Sequence, residues 1–271
     1  MKLEDQVALV TGAGSGIGRS IALALAREGA RVAVNDLNDE TADAVVAEIQ
    51  ALGGQAMAVP ADVADGRAVL KMFTRFLTVW DRLDIVVNNA GALFLEPHVI
   101  ANMEAQLGER VGGGPVTTPL EATRTLEDGV WRRTFAIHAD GTFHCTREAL
   151  KVMEVRRSGR IVNMSSIAGL TGLAGSPDYS AAKAAVIGFT KAVAREVAHL
   201  GIRVNAVAPG FVDTPLLAAL PATVRAGIVA QTPIGRMAEP EEIAAAVLYL
   251  VSSAAESVTG QVLSPNGGYV M

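Results

Sequence analysis

The chain has 271 residues, of which 50% are hydrophobic and 19% are charged, and its formal net charge at pH 7 is −5. This composition predicts a globular protein with a sizeable core rather than a disordered one. Lys and Arg are scattered along the chain, so the sequence shows no basic surface for nucleic acid or for an anionic membrane.

The sequence also offers little for disulfides, metals or membrane insertion. Cys145 is the single cysteine, which excludes an intrachain disulfide, and the four histidines lie too far apart for a recognisable zinc signature, so no metal is expected. No apolar run approaches the ~18 residues of a membrane span. Residues 1–6 run directly into a predicted strand and leave no room for a signal peptide, so we expect a cytoplasmic protein.

Short runs rich in Val and Ile alternate with segments of helical periodicity along the chain. Strands are predicted at residues 6–11, 31–36, 55–59, 84–88, 159–165, 202–208 and 261–264. Helices are predicted near residues 17–29, 39–52, 66–79, 125–153, 178–200 and 240–251. This alternation is typical of an α/β fold, a parallel sheet with helices on both faces. No linker or repeat divides the chain, so we expect residues 1–271 to form a single domain.

One connection is much longer than the others. Residues 92–124 follow the fourth predicted strand and hold a predicted short helix near 99–110, whereas a median connection has about 4 to 6 residues. Ligands of open parallel sheets bind beyond the carboxyl ends of the strands, where this segment begins. The insertion, as we call residues 92–124, is therefore predicted to be a lid over the ligand site or, alternatively, a surface elaboration or a subunit contact.

The first predicted strand runs into a glycine-rich turn, Thr11-Gly12-x-x-x-Gly16-x-Gly18, and then into a helix. Glycines allow a tight turn and let a phosphate approach the helix N-terminus, which favours a dinucleotide over a turn without a ligand. The second predicted strand ends at Asp36. A carboxylate there can bind both hydroxyls of an adenosine ribose and would repel a 2′-phosphate, so the sequence favours NAD over NADP. A simple helix N-cap is the alternative for this residue.

Two further residues follow the third predicted strand. Asp62 and Val63 are candidates for contact with the adenine, although an Asp at this position is equally an ordinary turn residue.

Tyr179 and Lys183 lie four residues apart at the start of a predicted helix, with Ser166 upstream. This spacing can place a phenol and an ammonium on one helix face. A free tyrosine has a pKa near ~10, and a positive charge close by favours its phenolate, so the pair suits proton exchange with an alcohol oxygen that Ser166 would also bind. A chance Tyr-x-x-x-Lys and a turn-capping serine are the alternatives. Together with the glycine turn, the pattern predicts hydride transfer with a nicotinamide cofactor.

These residues resemble the motifs of the short-chain dehydrogenase/reductase family, and the resemblance covers essentially the whole chain. The residues Thr11–Gly18 are similar to its cofactor turn, and Asn88-Asn89-Ala90-Gly91 to the motif that ends its fourth strand. The family implies a doubly wound Rossmann sheet of seven strands and no metal, in a single domain similar to 3-oxoacyl carrier protein reductases and hydroxysteroid dehydrogenases. It also implies a homotetramer or a homodimer.

The resemblance implies specific site residues as well. The implied catalytic residues are Ser166, Tyr179, Lys183 and, in the fourth catalytic position, His138. The residues expected to bind NAD are Gly12, Ser15, Gly16, Ile17, Gly18, Asp36, Asp62, Val63, Asn89, Ala90, Gly91, Tyr179, Lys183, Pro209, Gly210, Val212 and Thr214.

His138 departs from the family, which has an asparagine here that positions a water between the lysine and bulk solvent. An imidazole with an unperturbed pKa of ~6.5 can also exchange protons, so His138 either replaces that relay or perturbs it, or is simply a structural histidine.

The expected substrate is a secondary alcohol or a ketone. Residues 216–220, Leu-Leu-Ala-Ala-Leu, fall where the family places its substrate loop, and they suggest an apolar substrate unless they only pack a helix. Thioesters of 3-oxo acids, steroids, sugars and polyols are all compatible with the family. The alternatives to an oxidoreductase are a non-catalytic NAD-binding sensor or scaffold subunit, and an epimerase or dehydratase that uses bound NAD.

Overall fold

The computed structural model describes residues 3–271, which form a seven-stranded sheet surrounded by helices. The strands are β1 (Val7–Val10), β2 (Arg31–Val34), β3 (Ala56–Ala58), β4 (Ile85–Asn88), β5 (Gly159–Met164), β6 (Ile202–Val207) and β7 (Val262–Leu263). They lie in the order β3-β2-β1-β4-β5-β6-β7, and each neighbouring pair is parallel. The prediction of a doubly wound, seven-stranded parallel sheet is confirmed.

Twelve α-helices connect and cover these strands in the described chain. They are α1 (Gly16–Arg27), α2 (Asp39–Ala51), α3 (Gly66–Trp80), α4 (Pro97–Val111), α5 (Ala122–Thr125), α6 (Asp128–Phe135), α7 (Gly141–Arg156), α8 (Ile167–Thr171), α9 (Pro177–Val197), α10 (Pro215–Ala218), α11 (Ala222–Gln231) and α12 (Pro240–Val251). A π-helical turn (Ala136–Asp140) joins α6 to α7, and 3₁₀ turns follow α9 and α12.

The predicted helix at 125–153 differs most from the structure. It is divided into the end of α5, α6, the π turn and α7, because hydrophobic periodicity cannot distinguish one wide turn inside a continuous helix. The helices α8 and α10 were not predicted because they are too short to show a helical periodicity, and α11 was not predicted either. The helix expected in the insertion is present as α4.

The sheet is buried on both faces because its strand residues alternate between two apolar cores. Ala8 and Val10 of β1 pack with α1, α2 and α12, whereas Val7 and Leu9 pack with α3, α7 and α9. Such two-sided burial explains why the strands are apolar throughout.

The order of the strands places a crevice at their carboxyl ends. The chain builds outward from β1 to β3 and then crosses to β4 on the other side of β1. Loops leave the carboxyl ends of β1 and β4 in opposite directions at this switch point, and open α/β sheets bind their ligands there. Within residues 3–271, no helix is both long enough and apolar enough to cross a bilayer.

Candidate active site

The glycine turn after β1 is shaped by close contact with the end of β4. Gly12 has a φ of +60°, and a Cβ atom there would lie 2.8 Å from the Cα of Ala90. A Cβ on Gly18 would lie 2.1 Å from the carbonyl oxygen of Gly12. The Asn89 side-chain amide donates to the carbonyls of Thr11 (2.9 Å) and Gly12 (3.0 Å), which holds the turn in this conformation. Only glycine fits these positions, so the turn presents bare backbone to the crevice.

Asp36 lies beside this turn, two residues beyond the end of β2. Its Oδ2 accepts a hydrogen bond from the Gly14 N–H at 2.8 Å, and its Oδ1 accepts one from the Asn38 N–H at 3.2 Å. The N-cap of α2 is Asn38, whose side chain accepts from Glu40 and Thr41. Asp36 is therefore not the helix cap, and its carboxylate is fixed against the glycine turn.

Asp62 and Val63 follow β3 nearby. The Asp62 side chain is exposed and accepts from the Ala64 N–H at 2.9 Å, as in an ordinary turn, while Val63 is buried. Asp62 is thus a turn residue in the structure, and its contact with an adenine stays a prediction.

A cavity of about 630 Å³ opens at the carboxyl ends of the strands and brings the predicted residues together. The cofactor end of this cavity, as we call the part formed after β1, β2 and β3, contains the glycine turn, Asp36, Asp62 and Val63. The other predicted catalytic and cofactor-binding residues line the same cavity. They are Asn89, Ala90, Gly91, His138, Ser166, Tyr179, Lys183, Pro209, Gly210, Val212 and Thr214.

Ser166 and Tyr179 meet inside this cavity. The Ser166 hydroxyl caps α8 by accepting from the Ala168 N–H at 3.1 Å. It also hydrogen-bonds to the Tyr179 hydroxyl, which lowers the phenol's pKa, but burial is the larger effect and raises that pKa above its ordinary value. The serine therefore has both of the roles that the sequence left open as alternatives.

Lys183 lies one helical turn after Tyr179 and is buried. Its Nζ donates to the carbonyl oxygen of Met164 at 2.7 Å and is 5.6 Å from the centroid of the Tyr179 ring. Burial lowers the pKa of Lys183 to about 7. Burial is thus the largest influence on the pKa of Tyr179 in this chain, and a lowering of that pKa by Lys183 stays a prediction.

His138 lies in the π turn with 2% of its surface exposed. Its Nε2 is 2.7 Å from the Ala92 carbonyl oxygen, and its ring packs edge-on against Tyr179 with centroids 5.2 Å apart. Burial, and secondarily the charge of Lys183, lowers the pKa of His138 to about 3. The imidazole is therefore neutral at neutral pH, because its pKa lies well below the unperturbed value of ~6.5. Its buried Nδ1 has no hydrogen-bond partner among the described residues.

The insertion packs over one end of the cavity. Its first residues, Ala92, Leu93 and Phe94, line the cavity wall. Helix α4 then contacts α11, where a Cβ on Gly227 would lie 3.2 Å from Leu107 and the Thr223 hydroxyl donates to Glu104. The insertion and the segment after β6 are thus joined beside what we call the substrate end of the cavity, which is lined by residues 92–94, Arg133 of α6, residues 211–212 and residues 214–217.

Comparison with known proteins agrees with this geometry. The family model described as short chain dehydrogenase matches residues 6–225. The chain is 43% identical over 265 residues to cis-4-hydroxycyclohexanecarboxylate dehydrogenase of Sinomonas cyclohexanicum, covering 98% of this chain and 96% of that protein. It is 42% identical over 271 residues to a 3-oxoacyl-[acyl-carrier-protein] reductase of Synechocystis sp., with 99% and 98% coverage. The chain belongs to the short-chain dehydrogenase/reductase family.

Solved structures of this family superpose on nearly the whole chain. A short-chain type dehydrogenase/reductase from Mycobacterium marinum has a TM-score of 0.87 at 31% identity, covering 99% of this chain and 97% of its own. A Beutenbergia cavernae protein crystallised with NADP at low occupancy has a TM-score of 0.85 at 36% identity, with 99% and 98% coverage. The prediction of a nicotinamide-dependent oxidoreductase acting on alcohols and carbonyls is therefore confirmed at the level of the family.

Three residues near the site were not predicted. Asp178, directly before Tyr179, is buried and accepts a hydrogen bond from the Thr134 hydroxyl at 2.6 Å. This bond connects α6 to the first turn of α9, the helix that carries Tyr179 and Lys183. Arg133 lines the substrate end of the cavity. The position of Asp178 next to the predicted catalytic Tyr179 could have indicated that it belongs to the site. No sequence spacing indicated Thr134 or Arg133.

Proposed function

We propose that this enzyme interconverts a secondary alcohol and a ketone using NAD(H), with Tyr179 exchanging the proton on the substrate oxygen. The observation that carries the proposal is the convergence of Tyr179, Ser166 and Lys183 on the same cavity as the glycine turn and Asp36.

The cofactor end of the cavity fits a dinucleotide. A side chain at Gly12 or Gly18 would collide with neighbouring backbone, so these positions leave room for a pyrophosphate to reach the N-terminus of α1. Asp36 supports NAD over NADP because its fixed carboxylate would meet a 2′-phosphate with like charge. Arg19 of α1 is paired with Glu48 of α2 through hydrogen bonds of 2.6 to 3.0 Å, and it does not line the cavity.

The proton step follows from the pKa values of the site. A nicotinamide cofactor held by the glycine turn and Asp36 would supply or accept the hydride. Because burial raises the pKa of Tyr179, the phenol is protonated at neutral pH and can donate to the oxygen of a ketone. Ser166 hydrogen-bonds to the phenol oxygen and can bind the same substrate oxygen, which fixes the donor and the acceptor in register. Lys183, with a pKa of about 7, exchanges its own proton near neutral pH and can restore that of Tyr179.

His138 acts in this proposal as a neutral positioning group. Nε2 lies 2.7 Å from the Ala92 carbonyl oxygen and 3.3 Å from the Ala92 N, and the shorter contact favours the tautomer with hydrogen on Nε2, in which Nδ1 is an acceptor. The ring holds Tyr179 by its edge-on contact, and the free Nδ1 can accept from a water that connects the lysine to solvent. A proton on the imidazole itself has no part in the mechanism because the His138 pKa is about 3.

The substrate end of the cavity supports an apolar substrate body. Leu216 and Leu217, which the sequence left between ligand contact and helix packing, line the cavity together with Phe211 and Leu173. The relatives named for a hydroxycyclohexane acid and for 3-oxoacyl thioesters act on apolar bodies that bear an oxygen.

A cytoplasmic homotetramer or homodimer is also part of the proposal, and it rests on the family resemblance. Exposed apolar side chains such as Phe143 on α7 and Leu263 on β7 support an assembly. Light scattering after size exclusion tests it, and a monomer at micromolar concentration would contradict it.

The test of the main proposal measures initial rates with NAD and NADP on a panel of cyclic and linear secondary alcohols, and with the reduced cofactors on the matching ketones. We expect turnover with NAD(H) to exceed that with NADP(H). Cofactor binding without any turnover would support the sensor instead, and conversion without added cofactor would support an epimerase-type enzyme.

A further inference from the structure

An arginine at the substrate end of the cavity has no ion-pair or side-chain hydrogen-bond partner among residues 3–271. Arg133 of α6 lines the cavity wall, and its guanidinium carbon lies 5.8 Å from the centroid of the Phe94 ring. Phe94 belongs to the first residues of the insertion. A guanidinium over an aromatic face is held in place without losing its charge or its hydrogen-bond donors.

The other arginines of this region are paired. Arg132 contacts Asp128 at 3.0 Å and Arg225 contacts Asp213 at 2.9 Å. Arg124 pairs with Glu121. Across residues 3–271, by contrast, no carboxylate lies within ion-pair distance of Arg133. Its charge is therefore available to a ligand.

No acidic side chain of the cavity competes for that charge. The carboxylates that line the cavity, Asp36 and Asp62, belong to its cofactor end. Asp178 is close in sequence to the catalytic tyrosine, but it is buried and accepts from Thr134. Arg133 is an exposed side chain beside Phe94, and the same cavity is lined by apolar residues, namely Leu93, Ile137, Leu173, Phe211 and Leu216. A ligand that matches this end has an apolar body and one anionic group.

Arg133 lies close along the chain to residues that contact the catalytic tyrosine. Arg133 precedes His138 by five residues, which is about 7.5 Å of axial rise on a helix, and His138 packs against Tyr179. The next residue, Thr134, reaches Asp178 beside the same tyrosine. A small molecule can span this distance, whereas the phosphates of a long thioester carrier lie much farther from its carbonyl.

We propose that Arg133 binds the carboxylate of a compact hydroxy or oxo acid whose alcohol or carbonyl carbon faces Tyr179. The planar guanidinium matches a carboxylate with two parallel hydrogen bonds. The inference deepens the proposed function and rests on it for the placement of the reacting carbon.

The test compares substrates that differ only in this charge. Rates are measured for 4-hydroxycyclohexanecarboxylate and its carboxamide, and for 3-hydroxybutyrate and its carboxamide. We expect the wild-type protein to prefer the acid in at least one pair by about 10- to 100-fold in kcat/KM, as a charged hydrogen-bonded contact provides. Arg133→Gln should bring the acid-to-amide ratio close to one, and Arg133→Lys should retain part of it. The matched control is Arg132→Gln, which removes the adjacent exposed arginine and should leave the ratio unchanged.

A second measurement separates this inference from the proposed function. The same pairs are titrated calorimetrically into Tyr179→Phe protein saturated with whichever of NAD or NADP binds, with and without Arg133→Gln. If an acid binds through Arg133 but the wild-type protein oxidises no alcohol, the proposed function fails and the inference stands. If alcohols are oxidised without preference for the acid, or Arg133→Gln leaves a preference intact, the inference is overturned and the proposed function stands. Absence of acid binding in every titration also overturns it.

Discussion

The two ends of the cavity are built in different ways. At the cofactor end, main-chain groups and short side chains contact each other directly, as in the bonds from Asn89 to Gly12 and from Gly14 to Asp36. At the substrate end, helices from distant parts of the chain meet through long side chains, as where Leu107 of α4 faces Gly227 of α11. A close-packed backbone tolerates almost no substitution, whereas a side-chain contact can be exchanged. The cofactor end is thus suited to one ligand, and the substrate end can be altered without disturbing it.

The largest expected effect is at the catalytic tyrosine between the two ends. Tyr179→Phe removes the proton donor, so we expect turnover to fall by about 10³-fold or more while cofactor affinity changes little. Steady-state rates and cofactor fluorescence titration measure the two effects. Tyr249→Phe, which changes a tyrosine on α12 with 41% of its surface exposed, is the control. Substantial turnover in a folded Tyr179→Phe protein would exclude the proton-transfer role.

The pH dependence of alcohol oxidation and of ketone reduction tests whether burial of Tyr179 controls the proton step. Alcohol oxidation needs the phenolate, and the raised pKa of Tyr179 makes that form scarce at neutral pH. We therefore expect kcat/KM for oxidation to rise by up to about tenfold per pH unit from about pH 7 to 9, while reduction, which uses the phenol, lacks that rise. Initial rates in both directions measure this, and a flat oxidation profile would show that the phenol's ionisation is not limiting.

The preference for NAD over NADP tests the role of Asp36 at the cofactor end of the cavity. Asp36→Asn removes the negative charge but keeps the side-chain shape, so we expect the preference for NAD over NADP to fall by about 10- to 100-fold. The ratio of kcat/KM for the two cofactors measures it. Asp43→Asn is the control, because that carboxylate is exposed on α2 and does not line the cavity. A wild-type preference for NADP would contradict the proposal before any variant is made.

His138 links the two ends, and its effect should be smaller. His138→Ala removes the edge-on contact with Tyr179, so we expect turnover to fall by roughly tenfold with cofactor affinity nearly unchanged. His138→Asn restores the residue of the family and should recover most of the turnover. If both variants turn over like the wild type at every pH, His138 is a structural residue only.

Shortening the insertion should have the smallest effect. Deleting residues 98–118 removes α4 and its contact with α11, so we expect the substrate KM to change by a few-fold, as the loss of about 1 kcal/mol of contact would give. The cofactor KM is the internal control, since the cofactor end is formed without α4. Substrate kinetics identical to those of the parent would leave the insertion as a surface elaboration or a subunit contact.

The sequence predicted most of the fold and the cofactor end because both depend on local patterns. Gly12 and Gly18 are required by the backbone itself, so their spacing carries the information. The pKa values were not predictable in the same way, since the burial of Lys183 and His138 depends on packing between α9, the π turn and residues 91–92. The pairing of Arg133 with Phe94 joins residues 39 positions apart, and no pattern of spacing reports such a contact.

The hydrogen bond from Thr134 to Asp178 has a consequence for how selectivity would be expressed. Thr134 adjoins Arg133 on one side of the bond, and Asp178 adjoins Tyr179 on the other. If a ligand binds Arg133 as proposed, this bond offers a direct connection from that contact to the first turn of α9, where Tyr179 lies. Discrimination between good and poor substrates should then appear in the maximal velocity as well as in affinity, because energy gained at a distant group is used to align the chemical step.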